Sequence, residues 1–410
     1  MDLRSYLVKE NLVWLVAFRN PKETWQTHWS YLIIEILFYI CGFLTLKHAF
    51  KRGGKNSYLW IAALLHGIVV ESLSYFLTDI DNFWHAQSSI MFLGYRLPLY
   101  MILYYPTFIY TAYVAVNRLK LPYWAEPFAL GLLVLILDVP FEILGVKCLW
   151  WTWHDTDPNI YDRHYWVPWT NYYFQASFVS SFSLVFRFTR CLISENEKHR
   201  IIRILKEILC VILTALFASP LGVIQFMLLY HSLHDLFKIH SEICVLLLVS
   251  LYLIIVWTAD RNPSANARSE KGNQSDEVSA VISLLYITLA TIVTVVKPEM
   301  QSSTGLHEPI GPCNEQIDVR TPFGIILKKR KYLCLENYNE PYYDFHCVKE
   351  QRPLEDDKWY TICGTPFLNH VEYLIVIWTF CLLGLYIYYQ LLFKSGFDGY
   401  KPKTKKIKIQ

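Results

Sequence analysis

Three carboxylic acids interrupt sequence that is otherwise apolar. Glu71, Asp138 and Glu142 each fall inside a long hydrophobic run, and Glu35 is a fourth. An ionised group at the centre of a bilayer costs about 2.5–3.5 kcal/mol on insertion scales. Asp138 and Glu142 are four residues apart, so both leave one face of a helix, and Gly145 extends that stripe. Glu71 shares a face with Ser74, Tyr75 and Thr78 and lies about 10 Å from the end of its helix, at ~1.5 Å per residue. Four acids at one depth on three helices predict a shared polar cavity. Burial disfavours the anion of any carboxylic acid, and a protonated acid beside an ionised one is the pair that proton transfer to an alkene or carbonyl needs. Glu71, Asp138 and Glu142 are therefore the candidate catalytic acid and base. The competing explanation is structural: acids bonded across helices, or one of them paired with Arg96.

The two acid-bearing helices run directly into polar loops. Thr78–Ser89 is TDIDNFWHAQSS, and Glu142–Asn171 is EILGVKCLWWTWHDTDPNIYDRHYWVPWTN. His85 with Asp79 and Asp81, and His154 with Asp155 and Asp157, offer mixed nitrogen and oxygen ligands from one side. His85, His154, Asp155 and Asp157 are thus the candidate set for a divalent metal such as zinc, manganese or iron. Aspartates before Pro158-Asn159 also serve turns, with no metal. Trp150, Trp151, Trp153, Trp166 and Trp169 can wall a site for a flat polyene or isoprenoid chain, although an interfacial aromatic belt explains most of them. Arg96, Trp151, Trp153 and Asn171 are the candidate substrate-binding residues. The H-x-x-H at His231 and His234 stands alone and is discounted as a metal box. No phosphate-cradling glycine loop, G-x-S-x-G elbow or paired C-x-x-C is present.

Acids at such a depth need apolar helices to carry them, and the composition supplies these. The 410 residues are 54% hydrophobic and only 18% charged, against roughly 25% charged in soluble domains. A net charge of +3 gives no argument for nucleic acid. Windows long enough to span, about 17–25 residues, fall near 30–46, 57–78, 97–116, 127–146, 168–186, 207–230, 242–257, 279–296 and 371–393. They predict an all-α polytopic membrane protein with about nine transmembrane helices. The shortest window, 242–257, also suits a re-entrant segment. Met1–Asn20 has no small-residue cleavage site after Asn11–Phe18, so no signal peptide is expected.

Loops 47–56, 117–126, 187–206 and 258–278 with the tail 394–410 hold 21 Lys and Arg, whereas loops 79–96, 147–167 and 231–241 hold four. The positive-inside rule then predicts the N-terminus outside, the C-terminus cytosolic and both polar loops outside. The expected layout is an exoplasmic segment 1–29 and a membrane core 30–257 with site loops 79–96 and 147–167. A cytosolic linker 258–278, a helix 279–296, an ectodomain 297–370, a helix 371–393 and a basic cytosolic tail 394–410 follow.

Cys313, Cys334, Cys347 and Cys363 lie in the ectodomain and predict two disulfides, with three pairings open. The other six cysteines fall in or beside helices and suit packing. The sequon at Asn273 falls on the cytosolic side and should carry no sugar. Lys406 and Lys408 fit a dilysine signal for the endoplasmic reticulum. A plain basic tail held to anionic lipid suits the plasma membrane equally.

Gly94–Ala115, GYRLPLYMILYYPTFIYTAYVA, together with Glu71, LILDVPFEILGVKCLWWTWHD and YWVPWTNYYF, resembles the carotenoid biosynthesis family of bisanhydrobacterioruberin-hydratase-like membrane proteins. The resemblance covers roughly residues 57–185. It implies that Glu71, Asp138, Trp151, Trp153 and Asn171 line a substrate cavity, and that the reaction is a hydration or isomerisation of an isoprenoid-like substrate. The HDTDPNIYDRHY insert, the later helices and the Cys-bearing loop have no counterpart there; the whole chain looks like an uncharacterised animal multi-pass family. The expected ligand is an isoprenoid, sterol or other membrane lipid. The alternative is a non-enzymatic transporter, receptor or accessory subunit whose ectodomain binds a protein partner.

Overall fold

The computed structural model describes residues 14–77, 82–154, 157–193, 199–260, 277–338, 340–348 and 352–394. Thr78, Asp79, Asp81, Asp155, the sequon at Asn273 and the lysines at 406 and 408 lie outside the described residues. Among those described, nine helices are long and apolar enough to cross a membrane. They are α1 (Pro21–Arg52), α2 (Lys55–Phe76), α3 (Leu99–Val116), α4 (Glu126–Lys147), α5 (Trp169–Ile193), α6 (Arg200–Gln225), α7 (Ser241–Asp260), α8 (Glu277–Val295) and α9 (His370–Tyr389). The short window at 242–257 is a full 20-residue helix, α7.

Local chemistry sets several of the ends. Asn20 accepts from the Lys22 amide with Pro21 in the first turn, and Asn369 caps α9 through the Glu372 amide. Both are helix starts that spare an unpaired N–H. Helix α6 does not stop at Gln225. It widens into a π-helical stretch, Phe226–Leu236, which lengthens that span to 37 residues. Helix α4 lies at the centre of the bundle: 94% of its most apolar window is buried, against 28% for α7 and for α9. It packs against α3, α5, α7 and α9.

Nine alternating helices bring the connections 77–98, 148–168, 237–240 and 296–369 to the same end, and the short strands gather there. β1 (Val16–Phe18), β3 (Ile90–Phe92) and β4 (Leu97–Pro98) form one antiparallel sheet in the order β1-β3-β4. β2 (Phe83–His85) pairs with β5 (Trp151–Trp153), placing His85 opposite Trp151 and Phe83 opposite Trp153. β6 (Arg163–His164) pairs with β7 (Val167–Pro168).

The segment before α9 builds a sheet β8-β12-β11 from Ser302–Leu306, Trp359–Gly364 and Tyr343–Asp344, beside a hairpin of β9 (Gln316–Arg320) and β10 (Ile326–Arg330). Its disulfides join Cys313 to Cys334 and Cys347 to Cys363. This segment packs down on the loops as a roof. Tyr342 Oη donates to the Trp153 carbonyl at 2.5 Å and accepts from the Trp153 amide at 3.1 Å. Lys147 Nζ donates to the carbonyls of Thr365 and Pro366 at 2.9 and 3.1 Å. At the opposite end of the bundle lie the ion pairs Arg190–Glu207 and Arg187–Glu126, with Lys47 and Lys51 on Glu277.

Candidate functional site

Between α2, α3, α4, α5 and α6, under β2 and β5, is a cavity of about 330 Å³. Most of its wall is apolar or aromatic: Met101, Phe174, Phe178, Val223 and Phe226 line it, with Phe83, Trp151 and Trp153 at its roofed end. Two clusters centred on glutamates, Glu71 and Glu142, face into this oily space.

The first centres on Glu71. Tyr105 Oη donates to Glu71 Oε1 at 2.9 Å, and His85 Nε2 lies 3.3 Å from Glu71 Oε2. Tyr105 reaches the acid by lying across Gly67, one helical turn earlier. A Cβ at that position would stand 2.4 Å from Tyr105 Cδ2, so no larger residue admits the crossing. His85 arrives from the β2–β5 pairing, and its buried Nδ1 has no hydrogen-bond partner among the described residues.

The second centres on Glu142. Gln175 Nε2 donates to Tyr104 Oη at 3.0 Å and to Glu142 Oε1 at 3.4 Å. Among the described residues Glu142 Oε2, Asn171 Nδ2 and both carboxylate oxygens of Asp138 are buried without a well-aligned hydrogen bond, although Asp138 lies beside Glu142 and Tyr104, and Asn171 beside Glu142. Buried polar atoms are nearly always satisfied in folded proteins, so loosely partnered ones beside a cavity leave room for ordered water or a ligand group to complete them. Asp138 itself sits one turn deeper, behind Glu142 and Tyr104, and is not on the wall.

Of the four acids expected to share one chamber, Glu71 and Glu142 line the cavity, Asp138 backs Glu142 and Glu35 lies elsewhere. Glu35 accepts from Tyr39 Oη at 2.6 Å, Ser88 Oγ at 2.8 Å and the Ser89 amide at 3.0 Å. It pins the loop before β3 and faces away from the cavity. Trp151, Trp153 and Asn171 take their expected places on the wall. Arg96 does not. Its guanidinium stacks on Trp84 and Tyr75, at 5.1 and 5.5 Å, and donates to the Phe83 carbonyl at 3.1 Å. It borders only a small void behind Glu71 and His85.

Among the described residues, which leave out Asp155, the expected metal ligands His85, His154 and Asp157 do not come together. His85 serves Glu71, while His154 is drawn into the roof, with Nδ1 3.0 Å from Tyr343 Oη and 3.4 Å from Glu340 Oε2. Asp157 is on the cavity wall, but its oxygens accept from Asn82 Nδ2 and the Asn159 amide at 2.9 and 2.8 Å, the turn role that Asp favours before Pro-Asn. Among the described residues the one grouping of three ligand types at metal spacing is Asp344, His346 and Cys363. Cys363 is consumed by its disulfide. Next to His154, burial first and then His154 itself hold the His307 imidazole well below its ordinary 6.5.

Sequence reasoning missed Tyr104, Tyr105, Gln175 and His231. The tyrosines sit in a run indistinguishable from lipid-facing aromatics. His231 lines the cavity from the π-helical stretch and is oriented by Asp235, 2.9 Å from its Nδ1. The four-residue spacing from His231 to Asp235 is the sequence signal that points to this pair.

The profile of a family described as domain of unknown function DUF7802 matches residues 4–393. The chain belongs to that family. No curated protein and no solved structure matches it. The DUF7802 match spans all nine helices and the roof, so the cavity and the segment that covers it are parts of one family unit.

Proposed function

We propose that this DUF7802 protein is an integral membrane protein that takes an isoprenoid, sterol or similar apolar lipid into the cavity and hydrates or isomerises it by proton transfer. The observation that carries the reading is the pairing of an apolar, aromatic cavity with two separate carboxylate groups, Glu71 with Tyr105 and His85, and Glu142 with Asp138 and Gln175. One acid protonates an alkene carbon, breaking the π bond and leaving a cation on its neighbour. Water adds to that cation, and the second carboxylate accepts the proton that the water gives up. In an isomerisation the second carboxylate takes a proton from carbon instead. Trp151, Trp153 and Asn171 hold the chain, and aromatic faces attract a developing cation. The Lys and Arg asymmetry supports an orientation with the roof outside or in the lumen and the tail in the cytosol, in the endoplasmic reticulum or the plasma membrane. The spaced motifs shared with the carotenoid hydratase-like family support the same chemistry over residues 57–185.

A non-enzymatic lipid carrier or receptor is the second reading. It is favoured by Glu35, whose five hydrogen bonds from a tyrosine and two serines show that a buried acid in this bundle can serve structure alone. Incubating the purified protein with lipid extract in deuterated water separates the two. The wild type should place deuterium on carbon in a subset of lipids, and Glu71→Gln and Glu142→Gln should not. Equal labelling by all three proteins, or none by the wild type, removes the enzymatic reading.

A further inference from the structure

A second cavity, of about 110 Å³, lies at the end of the bundle opposite the roof. Arg52, Lys55, Arg118, His48, Asn56 and Asn117 line it, and among the described residues no carboxylate does. Gly53 and Gly54, at φ +65° and +55°, turn α1 into α2 within two residues, a conformation that favours glycine. That turn sets Arg52 and Lys55 on either side of one notch. The start of α2 has no side-chain cap, and its Asn56 amide bonds back to the Gly53 carbonyl at 3.2 Å.

Lys55 is directed inward. Its Nζ donates to Asn117 Oδ1 at 3.3 Å and lies 5.4 Å from the centre of the Tyr113 ring. The nearby acids are engaged elsewhere: Glu126 with Arg187, and Glu277 with Lys47 and Lys51. Arg118 is half-buried in the 3-10 turn Asn117–Leu119 that ends α3. It makes no hydrogen bond or ion pair with any described residue. Cations at helix ends commonly extend into water; here they line a concave space that, among the described residues, holds no carboxylate.

We propose that this cavity binds a phosphate group, as a monoester or diester, carried by an anionic lipid or free in solution. A phosphate offers several strong acceptor oxygens and up to two negative charges. The planar fork of Arg118 suits bidentate contact, Lys55 supplies a point charge, and Asn56 and Asn117 fill the remaining directions. Basic pockets between transmembrane helices on the cytosolic side suit anionic headgroups, and in the orientation proposed above this cavity meets that leaflet. The site stands apart from the roofed cavity and does not depend on the reaction assigned there.

The test uses the full chain in phosphatidylcholine nanodiscs with or without phosphatidic acid, read by native mass spectrometry. Inorganic phosphate is titrated separately into discs of phosphatidylcholine alone. Phosphatidic acid should be retained over phosphatidylcholine, and the double variant Lys55→Gln, Arg118→Gln should retain it about tenfold less well. Arg118→Gln alone, outside the helix cores, should lose about threefold and keeps the test valid if the double variant does not fold. Inorganic phosphate binding with the same losses assigns the soluble source. Equal retention of both lipids without phosphate binding, or binding that the variants leave unchanged, overturns the proposal.

Discussion

Replacing Gly145 with alanine tests how the α4 backbone holds the cavity wall. A Cβ there would stand 2.2 Å from Trp151 Cη2, 2.5 Å from Cζ3 and 2.9 Å from Cζ2, all atoms of the indole six-membered ring. Trp151 cannot slide along its strand, because β5 is paired with β2. Nor can it retreat toward Phe141, whose ring centre is already 5.1 Å away. The indole must swing into the cavity that it lines. Overpacking of this kind costs typically ~1–3 kcal/mol. A displaced indole ring also removes part of a space of about 330 Å³, so retention of co-purifying lipid should fall by about tenfold, or ~1.4 kcal/mol of lost contact. Trp151→Phe withdraws the colliding atoms, so the double variant should recover both properties with a coupling of ~1–2 kcal/mol. Thermal unfolding in detergent and native mass spectrometry of the four proteins of that cycle give the numbers. A Gly145→Ala protein that melts and retains lipid like the wild type, or simple additivity in the double variant, refutes the reasoning.

Further outcomes follow from the same geometry. Glu71→Gln keeps an acceptor for Tyr105 and should melt within ~1 kcal/mol of the wild type, whereas Glu71→Ala strands Tyr105 and His85 and should cost on the order of 2–4 kcal/mol; thermal unfolding checks both. His307 is neutral in the folded roof and takes a proton near its ordinary value once that roof opens. Because the unfolded state then binds more protons, roof stability should fall as pH drops below about 6.5, by up to ~1.4 kcal/mol per pH unit. Limited proteolysis of residues 297–370 across that range should show the slope, and His307→Asn should flatten it. Replacing Cys313 and Cys334 with serine opens a crosslink of sequence separation 21, worth about 3 kcal/mol for loops of this size. Hydrogen exchange should then rise in the β9–β10 hairpin, whose turn residue Pro322 touches the cavity.

The bundle was legible because its signal is physical and local: a run of apolar residues long enough to span, repeated nine times. Helix ends were less so. Residues 21–27 form a short helical segment ahead of the apolar window, joined to it through a non-helical kink at His28, because Asn20 and Pro21 begin a helix on capping chemistry, which hydropathy does not register. The continuation of α6 through Phe226–Leu236 sets Tyr230 against Tyr173, with ring centres 5.6 Å apart, and no periodicity announces it. In the site, Glu71, Glu142, Trp151, Trp153 and Asn171 stood out as polar or bulky residues in the wrong company. Depth alone could not separate Glu35, which faces the Ser88–Ser89 loop, from Glu71, which faces the cavity, because depth says nothing about which neighbour a helix face meets. Arg96 and His154 failed for the same reason, since each is drawn to partners remote in sequence or hidden in a neighbouring loop. The roof itself was invisible as a roof. A Cys-bearing segment reads as a separate ectodomain until Tyr342 is seen bonded to the backbone of Trp153.

The most direct test of the cavity as a lipid site is an experimental density map of the protein purified with native lipid. It should show an elongated apolar ligand between Phe174 and Trp151, with its reactive or polar part within contact of Glu71 or Glu142. A cavity closed by Tyr104 and Phe178, or one filled only with ordered water linking the two carboxylates, would contradict it.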